Sequence, residues 1–131
     1  MTKAYLIHVN DESKSGLKDV KDWKEIDPLL ECDTFDVTRV KLEDRFFSIY
    51  CDDEGLLKEP EDIRWGAVQI VYQGNVIAYQ PMLAGNLLVY SAELDDEGYE
   101  LDLTDEEIEI IERHIIQIPD EKGPHDTLAV N

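Results

Sequence analysis

Apolar and polar residues alternate over several short segments of the chain, which is the pattern of β-strands. The segments predicted as strands are residues 3–9, 34–41, 45–51, 67–72, 76–79 and 87–91. Two pairs of these strands are separated by short turn sequences, Glu43-Asp44 and Gly74-Asn75, which predict two hairpins. Pro81 is predicted to end the second strand of the later hairpin, because proline has no backbone N–H for a ladder.

Helical spacing is found first near the N-terminus. The apolar residues between positions 17 and 26 recur every three residues, so they are predicted to line one side of a short helix, with Trp23 in the core. Asp27 is a suitable N-cap and Pro28 a suitable first helical residue, which predicts one more helical turn over residues 28–32.

A second helix start is the clearest local signal of the chain. Thr104 and Glu107 have the spacing of a capping box, in which each side chain bonds the backbone N–H of the other. The predicted fold is therefore α+β, a mostly antiparallel sheet of about five or six strands with one or two helices packed on one face. Residues 1–119 are predicted to form a single domain, and residues 120–131 a flexible C-terminal tail.

Charge is the most unusual property of the composition. The chain of 131 residues has 31 acidic and 12 basic side chains, a formal net charge of −19. Such a surface repels nucleic-acid phosphates and anionic membranes, and it favours a basic protein partner, encoded by a host or by a mobile element. We see no apolar run of roughly 18 residues and no signal peptide, so we expect a cytoplasmic protein. Cys32 and Cys51 are expected to be reduced, mostly buried thiols.

Three adjacent carboxylates, Asp52, Asp53 and Glu54, follow a predicted strand and precede Gly55, which makes them the first candidates for chemistry. They do not meet the EF-hand pattern, because the first ligand position would fall on Tyr50. The chain has no glycine-rich phosphate loop, and neither cysteine lies in a pattern typical of a nucleophile. We therefore predict no catalytic residue, no metal site and no cofactor, and we consider an enzyme less plausible than a binding protein.

Several segments, read together, resemble a family of small acidic domains of unknown function that occur in phages, plasmids and conjugative elements of bacteria. The segments are LLECD (29–33), DVTR (36–39), FSIYCDDEGL (47–56), MLAGNLLV (82–89) and LTDEEI (103–108). The resemblance covers about residues 26–112, and residues 63–79 depart from it as an enlarged hairpin. It implies a genomic context and a fold, and it brings no catalytic or binding residues.

The leading functional hypothesis is a non-enzymatic accessory protein of a mobile genetic element that acts through an acidic partner-binding surface. Its sharper form is a DNA-mimic-like inhibitor of a DNA-binding protein. The residues predicted to bind the partner are Asp52, Asp53, Glu54, Asp95, Asp96 and Glu97.

The alternative hypothesis is a small ligand-binding domain or minor enzyme. Its site would lie near Asp52, Asp53 and the turn at Gly85 and Asn86. One continuous acidic stripe would favour the first hypothesis, and a concave site that joins the two turns would favour the second. The sequence leaves the oligomeric state open.

Overall fold

The computed structural model describes residues 2–54, 57, 59, 63–118 and 123–130. In chain order the elements are β1 (Thr2–Ile7), β2 (Gly16–Val20), α1 (Ile26–Leu30), β3 (Phe35–Leu42), β4 (Arg45–Asp52), β5 (Trp65–Gln73), β6 (Val76–Ala84), β7 (Leu87–Ser91), α2 (Asp105–Arg113), β8 (Ile115–Ile118) and β9 (His125–Val130). Short 3₁₀ turns lie at Glu12–Lys14 and Trp23–Glu25. The prediction of an α+β fold is consistent with this content, although the protein is mostly β.

The strands form two sheets, so the prediction of one sheet of about five or six strands is wrong. The first sheet has five antiparallel strands in the order β2-β1-β7-β4-β3, and the second has four in the order β6-β5-β9-β8. In the second sheet, β5 and β9 are parallel, with Ala67 opposite Leu128 and Gln69 opposite Val130. In the second sheet, β9 lies between β5 and β8 and joins them. Neither β5 nor β8 pairs with a described strand of the first sheet.

The larger hydrophobic core lies between the two sheets and α2. The first sheet contributes Phe47 and Ile49 from β4, and the second contributes Ala67 and Leu128. Ile111 of α2 packs into the same cluster, and all five residues have no exposed surface. This shared core explains why β7, the central strand of the first sheet, is buried along its whole length.

The opposite face of the first sheet is covered only in part, by α1. Leu6 of β1 and Leu88 of β7 pack there against Ile26 and Leu30 of α1. The two helices therefore lie on opposite faces of the first sheet, and not together on one face as predicted. Beyond α1, this face is exposed in part: Val37 is 44% exposed, whereas Tyr90 is buried.

The predicted helix across residues 17–26 is absent, because Gly16–Val20 is a strand that pairs with β1. Residues 17 and 20 are three apart, so in a strand they lie on opposite faces. Accordingly, Val20 is buried, whereas Leu17 is 43% exposed. Trp23 is 66% exposed and lies in a 3₁₀ turn, so its prediction as a core residue is wrong.

The predicted flexible tail is wrong for His125–Val130, which forms β9 between β5 and β8. Leu128, Ala129 and Val130 are buried, and Thr127 has no exposed surface. Burial of these apolar residues in the core removes their surface from water, and this stabilises the strand relative to a free tail. Pro119 lies outside the described residues, as does Gly55.

The predicted hairpins at Glu43-Asp44 and Gly74-Asn75 are both confirmed. The later hairpin is longer than predicted, and β6 continues through Pro81 to Ala84. β6 is an edge strand, and an edge strand tolerates a proline whose missing N–H would otherwise face solvent. The capping box at Thr104 and Glu107 is also confirmed.

Candidate functional site

The predicted partner-binding residues lie in two clusters at opposite ends of β7. Cys51 is opposite Leu87, so Asp52 lies beside the start of β7. Ser91 ends the strand, and the second cluster follows it. The first cluster is Asp52, Asp53 and Glu54, and the second is Asp95, Asp96 and Glu97. The structure does not bring the two clusters into one site.

Each cluster begins with an aspartate that holds its own turn. Oδ1 of Asp52 accepts the backbone N–H of Glu54 at 2.9 Å. Oδ1 of Asp95 accepts the N–H groups of Glu97 at 2.9 Å and Tyr99 at 3.0 Å. These are Asx-type turns, in which the side chain replaces a backbone acceptor. No group of three or more metal-ligating side chains occurs within the described part of the chain.

A concave site joins Asp52 to the turn at Gly85 and Asn86, and we call it the polar pocket. It has a volume of about 260 Å³. Its described lining comes from five segments: the chain after β1, the end of α1, the end of β4, the residues before β5 and the β6–β7 turn. Glu31 and Arg64 complete its polar lining. The alternative hypothesis predicted a concave site at this position.

The polar pocket is built by side chains that tie its walls together. Asn86 is 5% exposed. Its Oδ1 accepts the N–H of Val9 at 2.9 Å, and its Nδ2 donates to the carbonyl of Leu30 at 3.1 Å. Arg64 donates to the carbonyls of Val9 at 2.7 Å and Gly123 at 3.0 Å. Much of the polarity of the pocket is therefore already used in holding three loops.

His8 and Glu31 form a second tie at the edge of this pocket. Nδ1 of His8 accepts two backbone N–H groups, from Asn10 at 3.2 Å and Asp11 at 2.9 Å. The ring proton must therefore lie on Nε2, which donates to the carboxylate of Glu31. This hydrogen bond lowers the pKa of Glu31. Glu31 holds a left-handed backbone conformation, with φ of 56°, that few residues other than glycine adopt.

A second concave surface, the aromatic groove, lies on the open part of the first sheet beside α1. Its aromatic residues are Trp23, Phe35, Tyr50, Tyr90 and Tyr99. The groove has a volume of about 430 Å³. Three of its rings form a row across the sheet: the centroids of Phe35 and Tyr50 are 5.3 Å apart, and those of Tyr50 and Tyr90 are 4.9 Å apart.

The two other rings stand at the mouth of the groove and are mostly exposed, Trp23 at 66% and Tyr99 at 65%. Exposed rings of this size leave large apolar areas in water, which is unfavourable unless something covers them. The carboxylate of Glu100 lies in the same groove and accepts a hydrogen bond from the hydroxyl of Tyr50. Burial, followed by this bond, raises the pKa of Tyr50 well above its usual range.

Carboxylates outnumber cations around the groove. Asp22 and Glu100 line it. Burial raises the pKa of Tyr90, and the carboxylates of Glu100 and then Glu25 add to this shift. Among the described residues that line the groove, Lys21 is the one cation. Aromatic faces and carboxylates together are the groups that recognise organic cations.

The two cysteines have the character of structural thiols. Both are free, and Cys51 is buried in the larger core while Cys32 is half-buried. Burial raises the pKa of Cys32 to about 12 and that of Cys51 to about 11. Thiolates are the nucleophilic form, so neither residue is prepared for covalent chemistry at neutral pH.

The sequence prediction missed the aromatic groove because the aromatic residues of the groove come from five separate segments. The available signal was Trp23, which lies among charged residues in the sequence, where a ring is less commonly part of a core. The helical interpretation of residues 17–26 placed that ring inside the protein and hid the signal.

Comparisons with known proteins give no match, either to a protein-family model, to a curated protein or to a solved structure. Within the described residues, no helix is both long and apolar enough to cross a membrane.

Proposed function

We propose that the protein is a non-enzymatic binding protein that recognises a basic partner protein through the aromatic groove. The single observation that supports this most is the pair of exposed rings, Trp23 and Tyr99, at the mouth of a groove that contains the Glu100 carboxylate. The net charge of −19 adds long-range attraction for a basic partner.

A guanidinium or ammonium group can lie over the faces of such rings while it pairs with a carboxylate. Each cation–π contact contributes about 0.5–1 kcal/mol at an exposed site and more when the site is covered. Arginine fits best, because its planar group stacks on rings and bonds a carboxylate through two N–H groups. The partner we propose therefore presents arginine or lysine on an accessible segment.

The resemblance to domains of mobile genetic elements supports a more specific proposal, an accessory protein of such an element. Its sharpest form is a DNA-mimic-like inhibitor, whose carboxylates occupy the phosphate sites of a DNA-binding protein. Asp53, Glu54 and Asp96 are exposed and available for such contacts. Since the two acidic clusters follow opposite ends of β7, they would contact separate parts of that partner.

The proposal is tested by titrating the protein with an arginine-rich peptide and following tryptophan fluorescence and calorimetry. We expect binding that weakens at high salt and that falls by about tenfold in Trp23→Ala and Tyr99→Ala. Phe46→Ala is the matched control, because Phe46 is 51% exposed and lies outside the groove. Binding that is equal in all variants, or that high salt leaves unchanged, contradicts the proposal.

The DNA-mimic form has its own test. A partner captured from bacterial lysate at low salt is challenged with duplex DNA. Release of the partner by DNA supports mimicry, whereas a partner that binds the protein and DNA together does not.

A second candidate function, binding of a small polar ligand, is favoured by the polar pocket. The pocket joins Asp52 with the turn at Gly85 and Asn86, and about 260 Å³ is enough for a small amine or amino acid. We rank it second because Asn86 and Arg64 already bond to backbone groups. Thermal shift measurements with small amines, amino acids and sugars test it. If no compound raises Tm at millimolar concentration, this candidate should be dropped.

A further inference from the structure

The β5–β6 hairpin lies within the longest uncharged stretch of the chain. No Asp, Glu, Lys or Arg occurs from residue 65 to residue 92, in a sequence that is 33% charged. For β7 this is explained by burial, since all of its residues are buried. Burial does not explain the outer half of the hairpin, residues 70–79, which we call the neutral arm.

The neutral arm projects beyond the rest of the second sheet. Among the described residues, β9 pairs with β5 from Ala67 to Gln69. From Ile70 onward, the partner of β5 within the described residues is β6, as far as Gln73 opposite Val76. At about 3.3 Å per residue, the arm extends about 13 Å past the last residue that β9 supports. A two-stranded ribbon of this kind is marginally stable in water by itself.

One face of the arm is apolar although it is exposed. Side chains of opposite residues share a face, so Tyr72 lies beside Ile77, and Ile70 beside Tyr79, on the same side of the ribbon. Tyr72 is 73% exposed, Ile77 55% and Tyr79 51%. Val76, on the other face, is 62% exposed. Contiguous exposed apolar residues are typical of interaction surfaces.

β6 also has a free edge, since it is the outermost strand of its sheet. Its outward N–H and C=O groups can pair with another strand. Pro81 cannot donate such a bond, so pairing is restricted to the part of β6 before it, which is the part within the arm. An additional strand along this edge would extend the sheet and cover apolar side chains at the same time.

The absence of charge on the neutral arm indicates which molecule binds it. Two copies of the chain, each at −19, repel one another, and any carboxylate in a symmetric contact would lie near its own counterpart. A surface for a basic partner is expected to carry carboxylates, whereas association of two acidic copies is favoured where the contact surface has no charge. The extension of about 13 Å also holds the acidic bodies apart by more than the screening length of about 10 Å at 0.1 M salt.

We propose that the neutral arm is a self-association surface, on which β6 of one copy pairs antiparallel with β6 of a second copy to form a dimer. The two four-stranded sheets then become one continuous sheet. The apolar faces of the two arms lie side by side, and the acidic bodies lie at the ends.

Sedimentation velocity over a range of protein concentrations tests the proposal. We expect a concentration-dependent dimer that is stronger at 0.5 M NaCl than at 0.05 M, because salt screens the repulsion between the acidic bodies. Ile77→Lys is expected to raise the dimer dissociation constant at least about tenfold, because it puts a charge on the apolar face of both arms where they meet. Leu94→Lys is the matched control. Leu94 is 57% exposed, which is similar to the 55% exposure of Ile77, and it lies outside the arm.

The folded state of both variants is checked by circular dichroism and thermal unfolding. A wild-type protein that stays monomeric at high micromolar concentration in both salts overturns the proposal. A dimer that Ile77→Lys does not weaken overturns it as well. Flotation with neutral phosphatidylcholine vesicles is run in parallel: a monomer that binds vesicles through the arm assigns the arm to membranes and overturns self-association.

Discussion

The amide of Asn86 joins three segments of the chain, so its removal is the most direct test of how the polar pocket is built. In Asn86→Ala the buried N–H of Val9 and the buried carbonyl of Leu30 both lose their partner. Val9 is 3% exposed and Leu30 is 2% exposed. The two bonds measure 2.9 Å and 3.1 Å, which is normal hydrogen-bond geometry.

The size of the effect follows from these two groups. An unsatisfied buried polar group costs about 1–3 kcal/mol, so the upper limit for the pair is about 6 kcal/mol. The polar pocket lies directly beside both groups, and water that enters the space left by the side chain can satisfy them in part. We therefore expect a loss of about 2–3 kcal/mol in the free energy of unfolding.

Urea unfolding followed by circular dichroism measures this loss, and a thermal scan should show a fall in Tm of about 6–9 °C. Asn86→Asp is expected to lose at least as much at pH 7, because it replaces the donor to Leu30 by a second acceptor. Asn75→Ala, at an exposed turn, should change stability by less than about 0.5 kcal/mol. If Asn86→Ala is as stable as the Asn75→Ala control, the amide does not hold the pocket and the reasoning is wrong.

Four further outcomes are expected. Gly66→Ala should lose about 3 kcal/mol or more in urea unfolding, since a Cβ there would lie 2.1 Å from the backbone oxygen of Gly85; a loss below 1 kcal/mol contradicts that packing. Thr104→Ala should cost about 1 kcal/mol by the loss of the helix cap, and equal stability would argue against the cap. The lowered pKa of Glu31 stabilises the fold above the ordinary value of 4.5, and this contribution is lost as the pH falls through the folded pKa; Glu31→Gln should remove that part of the pH profile. Cys51, with a pKa raised to about 11, should react with a thiol reagent at pH 8 far more slowly in the folded than in the unfolded protein.

Local signals predicted the elements whose structure is determined locally. The capping box at Thr104 and Glu107 specifies a helix start through bonds between residues three apart, so it can be read from the sequence. The β3–β4 hairpin is similar, because its turn directly joins two alternating strands. Each of these predictions needed no information about distant residues.

The errors concern segments whose conformation depends on a distant partner. His125–Val130 is a short segment after a stretch of charge, and its pairing with β8 and with β5, which is far away in the sequence, makes it a strand. Gly16–Val20 fits a helix or a strand by spacing, and pairing with β1 decides between them. The alternative hypothesis places a site at Asp52, Asp53 and the turn at Gly85 and Asn86. The polar pocket has Asp52 and that turn in its described lining, but not Asp53. The aromatic groove depends on which part of the sheet α1 leaves uncovered.

The positions of the groove and the neutral arm make the two proposals compatible. The groove lies on the face of the first sheet that carries α1, and the second sheet, with its arm, packs against the opposite face. A dimer formed through the arms would therefore leave both grooves open. Two grooves on one particle would bind an extended basic partner more tightly than one, because the second contact forms at a high effective concentration. In a chain of net charge −19, the neutral arm then allows two acidic bodies to act together, which repulsion would otherwise prevent.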